Sequence, residues 1–266
     1  MSSDLNIILC SKNDSYGLNP MNRLINTLKF TSFFGKKLLK NKTFKILISD
    51  WGSLNPIENQ ISNHLKDNRL FKFIHTPPSD ADYCNRSSPF SQPHALNQCI
   101  NQSDSDFLLK IDQDTIVGPN FFQWFNESNN LPDLGYSSSR SLTKIQSKKI
   151  PKIILSDNFK DVSLIESKYS YNFNYKNKIF PFFGSRRGVL FFNKKNIKSK
   201  FNEDLIYRNY IDQNFVNTNL KKYKIFNLGL KLDFDFYHQY HNTEDTLSRK
   251  TNSFLYKKNF FEKYIF

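Results

Sequence analysis

The segment Phe107-Leu108-Leu109-Lys110-Ile111-Asp112-Gln113-Asp114-Thr115 decides the fold of this chain. A short apolar run ends in two aspartates spaced by one residue. On a buried strand, such a run carries the chain to the edge of a sheet and stops there. Two carboxylates at that edge make a site for a hard divalent cation, because hard cations take oxygen ligands. A cation held this way can neutralise a diphosphate.

The Asp-x-Asp pattern occurs four times, so context must separate the copies. Asp80/Asp82 falls in a Pro/Ser/Asn-rich loop, and Asp104/Asp106 in a polar turn; both are expected to be solvated. Asp233/Asp235 alternates with Leu232, Phe234 and Phe236 and reads as the polar face of a strand. Only Asp112/Asp114 follows an apolar run and precedes a turn, Gly118-Pro119. The alternative there is a capping turn before the helix-like Asn120–Phe125.

Upstream, strand and helix patterns alternate. Asn6–Cys10, Phe44–Ser49, Leu70–Ile74 and Phe107–Ile111 read as buried strands. Met21–Phe34, Pro56–Leu65 and Pro93–Asn101 read as the helices between them, with Leu24, Leu28 and Thr31 sharing one face. This order predicts an α/β fold with a mostly parallel sheet and right-handed crossovers. Ligands of such sheets bind beyond the carboxyl ends of the strands. Asn13, Asp14, Asp50, Asp112 and Asp114 all fall at those ends. Downstream, residues 137–178 are polar and resist assignment. The pattern returns with a strand at Gly188–Phe192, a helix at Tyr210–Leu220 and a strand at Leu228–Phe236. No repeat or linker divides the chain, so one composite domain spans residues 1–266.

With 27 Phe and 13 Tyr, the chain has the apolar area for a packed core. The formal charge of +14 points to anionic partners or to a general lysine habit; composition does not choose between them. Three cysteines without CxxC spacing favour reduced thiols and a cytosolic setting. Met1-Ser2-Ser3-Asp4 lacks a basic leader region, and no apolar run approaches a membrane span. A soluble, cytoplasmic protein is expected. Peripheral contact with the inner face of a membrane through lysines and the aromatic segment Phe254–Phe261 remains compatible with this. No G-x-G-x-x-G, Walker A or Gly-x-Ser-x-Gly motif is present, which disfavours dinucleotide, P-loop and serine-hydrolase chemistry.

Other constellations have two readings each. Ser11, Asn13 and Asp14 follow the first strand and suit either a base edge or an Asx-type turn with Gly17. Asp50 can accept a hydrogen bond from a base or ribose, or cap a helix. Asp212 opens a helix, where a carboxylate is favoured electrostatically, or acts as a general base for a poorly nucleophilic hydroxyl. His238 and His241 are competent metal ligands or ordinary loop histidines. On a strand the two would point oppositely, so one ligand is expected.

Taken together, these segments resemble a glycosyltransferase of the GT-A fold. They are similar to family 2 and to the galactosyltransferase/N-acetylgalactosaminyltransferase group, over about residues 5–245. The first strand with Ser11-Lys12-Asn13-Asp14 resembles the family's nucleotide-binding start. Gln92–Asn97 resembles the segment before the Asp-x-Asp strand, and Asp112-Gln113-Asp114 the metal and diphosphate motif. Gly184 and Gly188–Phe192 resemble the acceptor-site strand. Phe201–Glu203 through Asp212–Phe215 resembles the acceptor loop, with Asn209 and Ile211 standing where the family has Gly and Glu.

The resemblance implies a GT-A fold with a smaller acceptor-side subsheet. Residues 1–117 form the nucleotide-sugar half, 118–245 the acceptor half and 246–266 a tail. It implies inverting transfer from a nucleotide-diphosphate donor, a UDP-sugar above all, to a glycan or lipid-linked hydroxyl acceptor in polysaccharide biosynthesis. Asp212 becomes the catalytic base. Ser11, Asn13, Asp14, Asp50, Asn97, Asp112 and Arg187 become nucleotide-sugar contacts, with Arg186 a further candidate beside the diphosphate. Gly188, Asn209 and Ile211 become acceptor-side residues. Asp112, Asp114, His238 and His241 become candidate ligands for Mn2+ or Mg2+. Two competitors are a sugar-phosphate nucleotidyltransferase and a basic nucleic-acid-binding protein. The first commonly carries a Gly-rich basic loop after the first strand, where this chain has only Gly17. The second does not account for carboxylates gathered at strand ends, so no nucleic acid is expected as partner.

Overall fold

The computed structural model describes residues 4–14, 19–65, 67–86, 88–155, 188–205, 211–220, 222–233 and 235–241. Gly17, Gly184, Arg186, Arg187, Asn209 and the segment 254–261 lie outside the described residues, as does 156–178 of the polar stretch.

Strand β1 (Leu5–Ser11) pairs in parallel with β2 (Phe44–Trp51) and with β4 (Phe107–Lys110), and β2 pairs in parallel with β3 (Phe71–Thr76). Between them run α1 (Pro20–Leu38), the short α2 (Ile57–Ile61), α3 (Pro78–Asn85) and α4 (Gln92–Gln102). After β4 come β5 (Thr115–Val117), α5 (Pro119–Glu127), β6 (Leu134–Ser138), β7 (Arg140–Ser141) and α6 (Lys144–Leu155). They are followed by β8 (Gly188–Asn193), α7 (Ile211–Leu220), β9 (Ile225–Asn227), α8 (Leu228–Lys231) and β10 (Phe236–His238). Among the described residues, seven strands form one sheet in the order β3-β2-β1-β4-β8-β6-β9, and three form a smaller one, β5-β10-β7. In the large sheet β8 runs against its neighbours β4 and β6.

Period-two alternation explains how the central strands of this sheet are buried on both sides. Leu5, Ile7 and Leu9 of β1, Ile46 and Ile48 of β2, Leu109 of β4 and Phe191 of β8 enter one apolar cluster with Leu24 and Leu28 of α1 and Phe121 of α5. The residues between them, Ile8, Leu47, Leu108, Leu190 and Phe192, enter a second cluster with Leu96 of α4 and Phe215 of α7. Pro20, Pro93 and Pro119 each sit in the first turn of a helix, where the missing N–H costs nothing.

Several expectations are corrected. Asp80/Asp82 lies on α3, started by Pro78, and not in a loop; both carboxylates are exposed as expected. The expected helix through Leu65 is only α2 followed by a 3-10 turn, Ser62–His64. Residues 137–155, unassigned from sequence, complete β6 and form β7 and α6. The expected strand Leu228–Phe236 is instead helix α8 followed by β10. Leu228 and Leu232 are buried while Leu230 is 57% exposed, which is helical spacing and not alternation. The Asn227 side chain caps that turn by accepting from the Leu230 N–H at 3.0 Å. Asp233/Asp235 is therefore no strand face. Asp233 sits in a turn at φ 48°, and buried Asp235 accepts the Asn120 N–H at 2.6 Å to cap α5. Among the described residues, no helix is long and apolar enough to cross a membrane.

Candidate active site

The site forms where β1, β2 and β4 end. Ile111 N–H still reaches the Ile8 carbonyl at 3.1 Å, after which the chain leaves the sheet and turns, with Thr115 N–H on the Asp112 carbonyl at 2.9 Å. This turn separates the two aspartates. Antiparallel pairing of β5 with β10 places His238 opposite Thr115. Gln239 N–H donates to the Asp114 carbonyl at 2.9 Å, which holds the end of β10 against the turn.

Asp114 is 4% exposed. Its Oδ1 lies 3.2 Å from His238 Nε2, and its Oδ2 lies 3.1 Å from His241 Nε2 and 3.7 Å from Arg23 Nε. Both histidines thus reach the Asp114 carboxylate, where strand alternation alone would have turned them to opposite faces. The strand ends at His238, so alternation does not govern His241. The buried Gln239 side chain anchors to α1, donating to the Arg23 carbonyl at 2.8 Å and to Thr27 Oγ1 at 3.0 Å and accepting from Asn26 at 2.9 Å. That anchor turns the chain so that His241 comes back over Asp114. Burial alone would raise the Asp114 carboxyl; His238, His241 and Arg23 outweigh it and hold the group well below the usual carboxylate range. One carboxylate and two imidazoles offer ligand atoms all within 4.8 Å of one another, a donor set that fits a divalent transition metal.

Asp112 turns the other way, towards Lys110. Lys110 is fully buried, and its Nζ donates to Asp112 Oδ1 at 2.9 Å, to Asp212 Oδ2 at 2.8 Å and to the Gly188 carbonyl at 3.1 Å. Burial alone would lower the ammonium pKa, but Asp112 and Asp212 more than compensate and raise it. Asp212 stands in the first turn of α7. Burial pushes its carboxyl above the ordinary range, against the pull of Lys110. Its Oδ1 is buried without a hydrogen-bond partner among the described residues.

At the other flank, Ser11, Asp50 and His75 stand in register across β1, β2 and β3. Asp50, within β2 and not beyond it, accepts the Ile57 N–H at 2.8 Å and faces His75 Nδ1 at 3.0 Å through Oδ2. Its Oδ1 is buried and unpartnered among the described residues. Ser11 Oγ donates to Gln113 Oε1, while Asn13 N–H donates to Ser53 Oγ at 2.8 Å and its side chain to Gln60 at 2.9 Å. Asp14 N–H closes a turn on the Lys12 carbonyl at 3.0 Å.

Two expected site residues are occupied elsewhere. Asn97 clasps residues 201–203, donating to the Phe201 carbonyl at 2.9 Å and Glu203 at 2.8 Å and accepting the Phe201 N–H at 2.9 Å. Ile211 is packed in the apolar cluster under α7. Arg187 and Asn209 lie outside the described residues. Lys110, Arg23 and Gln239 went unnoticed in the sequence. The first had a signal: a lysine inside an otherwise apolar strand, two residues before an aspartate.

No protein-family model and no curated protein matches the sequence. Solved structures do match the fold. Residues 1–349 of TarS from S. aureus, in complex with UDP-GlcNAc, match at a TM-score of 0.50 and 14% identity, over 92% of this chain and 60% of that one. The mannosyltransferase PcManGT from Pyrobaculum calidifontis, in complex with GDP-Man and Mn2+, matches at 0.52 and 8% identity, over 92% of this chain and 59% of that one. The chain thus spans about 60% of the length of these structures. The fold is the GT-A fold of nucleotide-sugar transferases, as the segments around Asp112 and Asp114 led one to expect.

Proposed function

We propose that this chain is a metal-dependent glycosyltransferase, family 2-like and inverting, that moves a sugar from a UDP-sugar to a hydroxyl of a glycan or lipid-linked acceptor. One observation carries the reading. A metal-type ligand set, Asp114, His238 and His241, follows the end of β4, and a carboxylate with a spare buried oxygen, Asp212, is bonded to Lys110, the last residue of that strand. The UDP-GlcNAc of TarS and the GDP-Man and Mn2+ of PcManGT support it by fold.

Asp114, His238 and His241 would hold the cation. When bound, it supplies charge neutralisation for a departing diphosphate. Two nitrogen donors favour Mn2+ over Mg2+, which prefers all-oxygen shells. Asp50 offers Oδ1 to an N–H on the edge of a uracil-like base. Asp212 accepts the acceptor hydroxyl proton at Oδ1 while Lys110 keeps Oδ2. Asp212 acting as base on the acceptor hydroxyl suits single displacement with inversion, with Asp112 held on the same Lys110 ammonium. A cytoplasmic setting suits this reading, and the surplus of basic charge favours contact with an anionic inner leaflet.

The test is a calorimetric titration with UDP, with and without Mn2+, with GDP and CMP as controls, followed by hydrolysis of a panel of UDP-sugars. Mn2+-dependent UDP binding is expected, weakened at least ~10-fold, about 1.4 kcal/mol, by each of Asp114→Ala, His238→Ala and His241→Ala. UDP affinity indifferent to Mn2+ and to all three substitutions would refute the metal site. Salt-sensitive binding of nucleic acid without nucleotide binding would favour the competing reading.

A further inference from the structure

Lys110 is an expensive residue for its place. It lies on β4 among Leu108, Leu109 and Ile111, all buried, and is itself wholly buried. A lysine there costs desolvation that a leucine or methionine would not, and a buried ion pair is poor evidence for stability alone. The ammonium has three donors. All three are used, on Asp112, Asp212 and the Gly188 carbonyl, at 2.9, 2.8 and 3.1 Å. Two of these partners lie 78 and 102 residues away in sequence. The tie therefore joins the turn that carries the Asp-x-Asp pair to the first turn of α7.

We infer that Lys110 is a positioning residue for transfer, a three-way tie that locks the base Asp212 to the donor-side carboxylate Asp112. The inference rests on the reading of Asp212 as base. Alternation on β4 turns Lys110 to the same face as Leu108, the face on which α7 packs. Holding Asp212 by Oδ2 leaves Oδ1 as the free acceptor, with no protein partner among the described residues. Without the tie, the carboxylate can rotate about its side-chain torsions, and either oxygen can turn away from the acceptor. Gly188 closes the arrangement, since a Cβ there would come within 2.5 Å of Asp212 Oδ2. The donor carboxylate and the base are thereby set relative to one another before either meets a substrate.

The test compares the unaltered protein with Lys110→Met, which keeps the packing volume and removes all donors, and with Lys110→Gln, should the first fail to fold. Calorimetry with UDP and Mn2+ reads donor-side binding. Hydrolysis of a panel comprising UDP-GlcNAc, UDP-Glc, UDP-Gal and GDP-Man reads turnover. Urea unfolding of Asp112→Asn, Asp212→Asn and the double variant, with Lys110 present or replaced, reads the tie without any substrate.

Affinity for UDP with Mn2+, and KM for the hydrolysed donor, should stay within about 3-fold, while kcat falls about 100-fold. The two Asn substitutions should be coupled in the presence of Lys110 and additive in its absence. A folded Lys110→Met protein with unchanged kcat overturns the inference, as does additivity in both backgrounds. Failure of the glycosyltransferase reading shows differently: the unaltered protein itself neither binds UDP with Mn2+ nor hydrolyses any donor. If it binds but hydrolyses none of the panel, the coupling measurement decides.

Discussion

Replacing Gly188 by Ala should displace the base without touching the metal ligands. An added Cβ would lie 2.5 Å from Asp212 Oδ2 and 3.0 Å from Asp212 Cβ and Cγ, where ordinary contact begins at 3.4 Å. Oδ2 must therefore retreat by about 0.9 Å, the difference between 3.4 and 2.5 Å. Taken along its bond to Lys110, that retreat lengthens 2.8 Å to about 3.7 Å, beyond hydrogen-bond range. A hydrogen bond to a charged group contributes roughly 1.5–3 kcal/mol. Asp212 retains 19% side-chain exposure, so the lower end applies. The methyl group returns roughly 0.5–1 kcal/mol in reduced backbone freedom. The net loss of stability should be about 1 kcal/mol, measured as a lowered urea midpoint. Turnover should suffer more, since about 1 Å of misplacement can cost on the order of 100-fold. Binding of UDP with Mn2+ should be retained. A Gly188→Ala protein with unchanged stability and turnover would refute the close approach of β8 to α7. Loss of nucleotide binding alongside turnover would refute the separation of the two half-sites.

Three further outcomes are expected. Asp212→Asn should abolish turnover while leaving nucleotide binding nearly intact, measured by calorimetry beside hydrolysis; lost binding would remove it as base. Burial pushes the Asp235 carboxyl up to about 7, with hydrogen bonds from Tyr237 and the start of α5 opposing the shift. Between about pH 4 and 7 the folded state then keeps a proton that the unfolded chain has lost, so stability should fall as pH rises, by up to about 1.4 kcal/mol per unit. Asp235→Asn should flatten that slope, and parallel profiles for the two proteins would count against it. Asn97→Ala should cost roughly 2–3 kcal/mol by unpairing the Phe201 backbone, with UDP binding unchanged in the folded protein. A selective loss of UDP affinity would instead restore Asn97 as the nucleotide contact that its sequence neighbourhood suggests.

The legible parts of this chain were those set by local periodicity. Apolar runs between helical patterns mark β1, β2 and β4, of seven, eight and four residues, because strands buried on both faces need no polar alternation. Leu228–Phe236 was misread because Leu228, Leu230 and Leu232 also satisfy period two; only the Asn227 cap and the burial of Leu228 and Leu232 show the helical turn. Asp235 was misread with it. The sequence places the histidines after a strand ending at Phe236, whereas β10 runs on to His238 and ends there.

By itself, the sequence determined the alternating strand–helix order, the position of Asp112 and Asp114 at the end of an apolar strand, and the placing of Asp212 at a helix start. These depend on residues within a few positions of each other, where backbone geometry alone dictates which side chains share a face. The tertiary structure decided the partners. It divided the Asp-x-Asp pair, giving Asp114 to His238 and His241 and Asp112 to Lys110. It also set Asn97 to clasp the chain at Phe201, 104 residues away. Such pairings follow from β8 lying beside β4 and from β10 lying beside β5, and strand order leaves no mark in the spacing of residues along the chain.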